Sequence, residues 1–443
     1  MTTRGNDMPP GTRIGRRALA AGAALVALCW LTTGCGLSGP ANERMGVVWD
    51  TSEDRKAEPH GMGAWLSGDT LVRSRFDALT GFHAATGAGS WEYVPPGRSS
   101  VCHATADIAR SVLVLVLDGD GAASPAKDES CTTVVAIDMK DGRKLWQAPL
   151  SEPEPRSLQD YSVLAGGGVA VLLQQDELRA VDVRTGKPRW KAALPKDCVP
   201  GRTAAAEGQV AAFLACGGEN RRGGDKVAED AELHTAAFDP ATGALRWSTP
   251  LGGRRAVSHD TFADFVSADP VVVAQSEDGE RGAYLSFGKD GRPNLPIDFS
   301  GPYGTIDYRN SLTMAAADDR RLYAMPEPPT KRPRDSRYHL TAFDLATGVP
   351  VWGGTPDDDR LDGDSGYSLL VQDGKLTVLT SHRKNPYRVR VLDPVTGEQR
   401  EIRDLPDGVG PVDRIVTYQG RLIVARYAVH ETGSRPFTAY ERR

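Results

Sequence analysis

The sequence lacks several features that would place it quickly in a functional class. Its longest apolar run, from Ala18 to Leu31, has 14 residues. As a helix this run covers about 21 Å, whereas the hydrocarbon core of a membrane is roughly 30 Å thick. Basic residues are not in excess, with 53 lysines and arginines against 58 acidic residues, which disfavours nonspecific binding of nucleic acid. The eight histidines are dispersed, no two cysteines are adjacent, and no cysteine spacing is typical of zinc ligands. We therefore predict neither a nucleic-acid-binding protein nor a metal centre.

Turn-forming residues are plentiful instead. The chain contains 48 glycines and 30 prolines, while charged residues make up 25% and apolar residues 40%. These last two fractions are those of an ordinary globular protein. The composition favours many tight turns between short strands over long helices.

The first 34 residues have the composition of a secretory signal peptide. Arg13, Arg16 and Arg17 precede the apolar run, and small residues lead from it to Cys35. We predict a cleaved signal over residues 1–34, with an uncleaved N-terminal anchor as the alternative. The pair Arg16-Arg17 also resembles a twin-arginine export signal, so the export route stays open.

The segment Thr33-Gly34-Cys35 resembles the end of a bacterial lipobox, in which the cysteine receives diacylglycerol and becomes the mature N-terminus. Leu31 lies one residue too far upstream for the usual pattern, and an ordinary signal-peptidase site with an incidental cysteine is the alternative. The resemblance implies lipidation of Cys35, a tether over residues 35–45, and anchoring to the outer face of the cytoplasmic membrane. A secreted protein is expected if Cys35 carries no lipid.

The rest of the chain repeats one pattern, Ala-x-Asp-x-x-(Thr/Asp)-Gly-x-x-x-Trp. Four strong copies occupy residues 136–146, 180–190, 237–247 and 342–352. Weaker copies are centred near residues 83, 288, 393 and 441, and Trp91 belongs to the first of them. The resulting spacing of about 51 residues is typical of four-stranded propeller blades. The residues that define the repeat are Asp138, Gly142, Trp146, Asp182, Gly186, Trp190, Asp239, Gly243, Trp247, Asp344, Gly348 and Trp352.

Each copy has a structural interpretation. Alternating apolar residues before the aspartate predict a strand with one buried face. The aspartate can accept hydrogen bonds from the N–H groups of a tight hairpin, and the glycine supplies a positive φ. The tryptophan then lies on the return strand, where it can pack against the neighbouring repeat. Because a catalytic residue is not needed in every copy, we interpret these residues as structural.

The two ends of the chain complete one another. The last copy stops at the C-terminus before its tryptophan strand, while Gly46 to Trp49 forms a tryptophan strand without a hairpin. Pairing the two would close the ring and leave no open sheet edge at the seam. We therefore predict a single all-β domain over residues 46–443, an eight-bladed β-propeller of four-stranded antiparallel blades.

This repeat resembles the tryptophan-docking repeat of the pyrroloquinoline-quinone (PQQ) type of propeller, and the resemblance covers nearly the whole mature chain. That superfamily includes quinoprotein dehydrogenases, the assembly lipoprotein BamB and sensor modules of actinobacterial kinases. The resemblance is specific for fold and says little about function.

Four cysteines remain in the mature chain, an even number that suits two disulfides in an exported protein. Among three possible connectivities we predict Cys102–Cys131 and Cys198–Cys216, which join nearest neighbours.

Two functions follow from the resemblance. A PQQ-dependent dehydrogenase of this family is expected to have an adjacent Cys-Cys disulfide, Glu, Asn and Asp ligands to calcium, and a tryptophan-rich insert. This sequence has no Cys-Cys pair, and Trp65 is the one tryptophan that neither the signal nor the repeats use. We therefore predict a noncatalytic, monomeric binding or scaffold propeller without a cofactor, which engages a protein or envelope component. A solute-sensing module acting with a separate kinase or transporter is a further alternative.

Overall fold

Short antiparallel strands make up almost all of the ordered secondary structure in the computed structural model of this chain. The structure describes residues 42–53, 62–118, 130–155, 163–174, 176–217, 231–251, 262–276, 281–307, 314–327, 339–353, 367–382, 385–409, 412–426 and 435–443. A single turn of 3-10 helix at Pro96–Arg98 is the helical segment of these ranges. Nothing in them forms a helix with the length and hydropathy that a membrane crossing requires.

The strands fall into sheets that follow one another along the chain. The first strand, β1, spans Asn42–Asp50. Sheet 1 contains β2 (Gly63–Ser67), β3 (Thr70–Ser74), β4 (Leu79–His83) and β5 (Gly89–Tyr93). Sheet 2 contains β6 (Val101–Ala104), β7 (Val112–Asp118), β8 (Ser130–Asp138) and β9 (Lys144–Pro155). Sheet 3 contains β10 (Val163–Gly166), β11 (Val169–Gln174), β12 (Glu177–Asp182) and β13 (Pro188–Lys191). Sheet 4 contains β14 (Cys198–Ala205), β15 (Val210–Cys216), β16 (Glu232–Phe238) and β17 (Leu245–Pro250).

The second half of the chain continues the series. Sheet 5 contains β18 (Phe262–Ala268), β19 (Val271–Ser276), β20 (Gly282–Ser286) and β21 (Ile297–Asp298), and a separate two-stranded pair follows with β22 (Ser300–Gly301) and β23 (Gly304–Thr305). Sheet 6 contains β24 (Ala315–Ala317), β25 (Arg321–Ala324), β26 (Thr341–Asp344) and β27 (Pro350–Gly353). Sheet 7 contains β28 (Tyr367–Gln372), β29 (Lys375–His382), β30 (Asn385–Leu392) and β31 (Gln399–Asp404). Sheet 8 contains β32 (Arg414–Tyr418), β33 (Arg421–Ala425), β34 (Phe437–Arg442) and, out of sequence order, β1.

Buried apolar side chains fill the spaces between successive sheets. In β7, alternate residues from Val112 to Val116 pack towards sheet 3, and those from Leu113 to Leu117 pack towards sheet 1. Such a strand is apolar on both faces because both faces are covered. Among the described residues the clusters connect each sheet to the next, and one connects sheet 8 back to sheet 1, where the rings of Phe82 and Phe437 meet at 5.6 Å.

These contacts close the series of sheets on itself. The all-β class and the four-stranded antiparallel sheets of a multi-blade propeller are therefore confirmed. The described strands of sheets 1 to 8 match the predicted number of blades, which stays a prediction.

The predicted closure by an N-terminal strand is also confirmed. β1 is antiparallel to β34, with Met45 opposite Arg442 and Asp50 opposite Thr438. The strand begins earlier than expected, because residues 42–44 also pair in parallel with residues 402–404 of β31. Residues 42–45 were assigned to the tether from the sequence, but in the structure they belong to β1. Sheets 7 and 8 are thereby joined into one eight-stranded sheet.

Candidate functional site

The aspartate of each strong repeat caps its own hairpin. In sheet 3, Asp182 accepts hydrogen bonds through Oδ1 from the Thr185 amide and hydroxyl, both at 2.9 Å. Asp239 and Asp344 make the corresponding bonds to Thr242 and Thr347 at 2.8–3.0 Å. These bonds satisfy turn N–H groups that the ladder leaves unpaired. One carboxylate oxygen of each of these three aspartates is therefore used in its own turn.

The repeated glycines and tryptophans connect one sheet to the next. In six of the hairpins the glycine has φ near +70° and lies beneath the indole of the preceding sheet. A Cβ placed on such a glycine would lie 2.4–2.8 Å from indole carbons, closer than real side chains approach. The pairs are Trp49 with Gly87, Trp91 with Gly142, Trp146 with Gly186, Trp190 with Gly243, Trp247 with Gly291, and Trp352 with Gly397.

Four of these indoles also donate a hydrogen bond to the hairpin they cover. The bonds run from Nε1 to a backbone carbonyl oxygen at 2.8–3.1 Å, and the accepting residue follows the repeat aspartate directly. The pairs are Trp91 with Met139, Trp146 with Val183, Trp190 with Pro240, and Trp352 with Pro394. These four tryptophans therefore act as latches between sheets, and their indole N–H groups are occupied by this role.

Two of the contacts between successive sheets lack a tryptophan packed on a glycine. Between sheets 5 and 6, Gly348 lies beneath the backbone carbonyl of Pro296, since sheet 5 has no tryptophan in its short last strand. Between sheets 7 and 8, Glu401 takes the tryptophan position and forms ion pairs with Arg403 and Arg442. These charges lower the pKa of Glu401 against the effect of its partial burial.

An arginine that was not among the predicted residues completes three of the repeats. Seven residues after the aspartate, Arg189, Arg246 and Arg400 bind Oδ2 of the aspartate of their own hairpin at 2.6–3.2 Å. The hydrogen bond from Arg189, supported by Thr185, lowers the pKa of Asp182 to about 2. The Asp-x6-Arg spacing is visible in the sequence and was the signal that could have found these residues.

The structure contains the two disulfide bonds in the pairing chosen from the sequence. Cys198 and Cys216 are directly opposite on β14 and β15, with 4.0 Å between their Cα atoms. Cys102 on β6 and Cys131 on β8 are both buried. Each bond adjoins the connection between the second and third strand of its sheet, so both lie at the same end of the propeller. A loop closed by such a bond is stabilised by roughly 3 kcal/mol in the chain-entropy account.

The first strands of the sheets, and the connection that follows β6, carry a few polar groups that were not among the predicted residues. Arg202 of β14 and Asp264 of β18 form an ion pair at 2.5 Å. Between β6 and β7, burial raises the pKa of Asp107, and the charge of Arg414 on β32 opposes this effect. Only the fold brings these residues together, because Arg414 and Asp107 lie at opposite ends of the sequence.

These groups do not form a site for PQQ and calcium. Neither disulfide joins adjacent cysteines, and Trp65 donates its N–H to the carbonyl oxygen of Ala106 at 3.0 Å. Within the described ranges, no three His, Cys, Asp or Glu side chains are grouped as metal ligands. The other described tryptophans are latches on the outer strands. The adjacent-cysteine disulfide and the tryptophan-rich insert that the family resemblance implies for that cofactor are therefore not found in this part of the chain.

The signal peptide and Cys35 lie outside the described residues, so their predictions are unchanged by the structure.

Comparison with known structures finds matches at low sequence identity, and the three described here have TM-scores below 0.5. A quinohemoprotein alcohol dehydrogenase from Pseudomonas putida is 12% identical with a TM-score of 0.49, and the match covers 90% of this chain and 76% of that one. The corresponding enzyme from Comamonas testosteroni is 13% identical with a TM-score of 0.47, over 90% and 76% of the two chains. A structure described as the eukaryotic initiation factor is 10% identical with a TM-score of 0.48, over 91% and 90%. No curated protein matches the sequence.

A protein-family model gives the assignment. The model described as outer membrane protein assembly factor BamB matches residues 42–213 and 229–435, which together are most of the chain. These ranges contain every strong copy of the repeat and all the latches described above. The chain therefore belongs to this BamB-like family of PQQ-type repeat propellers.

Proposed function

We propose that this protein is an exported, lipid-anchored propeller that binds a protein or envelope component at the outer face of the cytoplasmic membrane and catalyses no reaction. The observation that carries the proposal is how the repeated polar residues are used. The aspartates cap hairpins and the tryptophans latch neighbouring sheets. The residue types that first suggest a catalytic or cofactor site are thus committed to the scaffold.

Two further observations support an extracytoplasmic binding role. Disulfides form and persist in oxidising compartments, and this chain has two. Membership of the BamB-like family is consistent with that location. Both bonds lie at one end of the propeller, where they constrain the strands that lead into the longer connections. Loops held by a rigid scaffold are common sites for binding a partner.

Anchoring is tested by labelling cells with a radioactive or alkyne fatty acid and fractionating them. Cys35→Ala should lose the label and release protein into the medium, whereas Cys29→Ala, within the apolar run, should keep both label and membrane location. A Cys35→Ala protein that is labelled like the wild type would contradict the anchor.

The noncatalytic role is tested on purified protein supplied with PQQ and calcium. We expect no dye-linked oxidation of alcohols or sugars and no quenching of tryptophan fluorescence on addition of PQQ. An established quinoprotein dehydrogenase, treated in the same way, serves as the positive control. Saturable PQQ binding together with substrate oxidation would establish the enzyme and overturn the proposal.

A further inference from the structure

The repeat aspartates of this propeller are bound by arginine in a regular way. Asp182, Asp239 and Asp393 each receive an arginine on Oδ2 from the seventh following residue. Asp138 has Leu145 at that position, and Arg184 from the hairpin of sheet 3 binds its Oδ2 instead at 2.5 Å. The fold thus offers two positions from which an arginine can reach the carboxylate, one on the same sheet and one on the next.

Asp344 of sheet 6 departs from this rule. Its Oδ1 accepts hydrogen bonds from the turn, including 2.8 Å bonds from the Thr347 amide and hydroxyl. Among the described residues, its Oδ2 has no hydrogen-bond or ion-pair partner. Arg321, opposite it on β25, acts on it through its charge, which together with the turn bonds lowers the pKa of Asp344. One oxygen of the carboxylate is therefore bound by the turn, and the other is bound by no protein group of the described residues.

Both positions that supply an arginine elsewhere hold an exposed valine in this part of the propeller. Val351 is the seventh residue after Asp344 and is 48% exposed. Val395 occupies in sheet 7 the place that Arg184 has in sheet 3, and it is 57% exposed. The usual arginine is thus replaced twice around the same carboxylate, and each replacement leaves an apolar side chain in water.

Two more exposed apolar residues adjoin the hairpin of Asp344 through their backbone. Val349 accepts a hydrogen bond from the Asp344 amide through its carbonyl oxygen at 3.0 Å and is 54% exposed, where sheets 3 and 7 have Lys187 and Glu398. Leu295 of sheet 5 is 63% exposed, and its carbonyl oxygen would be 3.1 Å from a Cβ at Gly348. We call Leu295, Val349, Val351 and Val395, together with Asp344, the Asp344 surface.

Single exposed apolar residues are common on proteins and need no explanation. The Asp344 surface differs because the other four repeat aspartates of the same chain each have an arginine on this carboxylate oxygen. A carboxylate surrounded by apolar groups is complementary to an arginine, whose guanidinium binds carboxylates while its methylene stem covers apolar surface. The negative charge of Asp344 and the exposed apolar residues of its surface together favour an arginine as the group that binds there.

We propose that the Asp344 surface docks a segment of a partner protein in which one arginine is flanked by apolar side chains. The partner's arginine takes the place on Oδ2 that Arg189, Arg246 and Arg400 have in their own sheets. The apolar neighbours of that arginine cover Leu295 and the three valines. This inference rests on the proposed noncatalytic binding function and adds a surface and a partner chemistry to it.

The experiment selects short random peptides against the immobilised disulfide-bonded propeller, and measures affinities of the enriched peptides by fluorescence anisotropy. We expect the enriched sequences to share an arginine between apolar residues. Asp344→Asn should weaken their binding by roughly tenfold to a hundredfold, since a charge-assisted hydrogen bond is lost. The matched substitution in sheet 4, Asp239→Asn, should leave the affinity unchanged.

A second variant separates docking from folding. Val351→Arg installs the residue that three other sheets carry, so it should fold with an unchanged or higher melting temperature and yet abolish peptide binding. Enriched peptides without the arginine pattern, or equal binding to wild type and Val351→Arg, would overturn the proposal. Dimerisation of the wild type that Val351→Arg abolishes would also overturn it, since a second copy would then fill the surface. None of these outcomes changes the lipid-labelling or PQQ results, so the proposed function is tested separately.

Discussion

Thr51 and Phe437 lie 386 positions apart in the sequence and are hydrogen-bonded in both directions. The Thr51 amide donates to the Phe437 carbonyl oxygen at 3.0 Å, and the Phe437 amide donates to Thr51 Oγ1 at 3.1 Å. Next to them, Asp50 accepts a hydrogen bond from Thr438 at 2.7 Å and pairs with Arg435. The N-terminal strand is thus bound to the last strand by backbone, side-chain and ionic contacts.

We expect both ends of this seam to be necessary for a stable monomer. Deleting residues 46–51 removes the buried side chain of Trp49 and exposes the edge of β34, and truncation before Phe437 removes β34 itself. Each large apolar side chain lost from the interior costs about 1.5–3 kcal/mol, and an open edge favours association. Thermal unfolding and size-exclusion chromatography measure the two effects.

The control for the seam is a chain that starts at Asn42, which keeps all of β1 and should behave like the mature protein. If both truncated proteins remain monomeric and lose little stability, the ring closes elsewhere and the predicted count of eight blades is wrong.

The latch between sheets 3 and 4 is tested by Gly243→Ala. Gly243 has φ +70°, and a Cβ there would lie 2.6 Å from the Trp190 indole. Gly374→Ala is the matched control, since Gly374 has φ +68° with nothing within 4 Å. The control should lose about 1–2 kcal/mol from the left-handed backbone alone. Gly243→Ala should lose about 1–3 kcal/mol more, because the indole must move. Equal losses in denaturant unfolding would contradict the latch.

His103 should make the protein less stable in mild acid. Burial lowers the pKa of His103 to about 4, whereas the ordinary value is 6.5. As the pH falls from 6.5 to 4 the unfolded chain binds a proton that the folded protein does not, so this contribution to stability is present above pH 6.5 and is lost in that window. The loss is at most about 1.4 kcal/mol per pH unit.

His103→Gln should remove this part of the pH dependence. The stability of the wild type relative to the variant is measured by denaturant unfolding across the window, and it should fall from pH 6.5 to 4 and then level off. His83→Gln, at an exposed position, controls for the loss of an imidazole. A difference between wild type and His103→Gln that does not vary with pH would show that the histidine titrates alike in both states.

Much of the fold is predictable from local sequence, because the repeat combines signals that act over a few residues. Asp182, Thr185 and Gly186 form their hairpin from neighbouring residues, so the turn is encoded by composition and spacing alone. The tryptophan four residues later marks the return strand. The seam was predictable for a related reason, since each end of the chain carries the part of a repeat that the other lacks.

The polar pairs of the first strands were not predictable in this way. Arg202 forms an ion pair with Asp264 only because strands from different sheets converge. For the same reason the charge of Arg414 acts on the pKa of Asp107. No spacing rule connects these positions in the sequence. The parallel pairing of residues 42–44 with β31 was missed for the same reason, and the predicted domain therefore began four residues too late.

The sequence by itself determined the all-β class, the hairpins and the closing of the ring, because these depend on short-range propensity and on repetition. Only the tertiary structure decided which groups lie together between sheets. It showed that Asp344 lacks the arginine its counterparts have, and that Val351 and Val395 stand exposed in the two places from which one would come. Val351 can be found from the Asp-x6-Arg spacing. The place of Val395 is on the next sheet, and its nearness to the carboxylate is a matter of distance in space, which the order of residues along the chain does not contain.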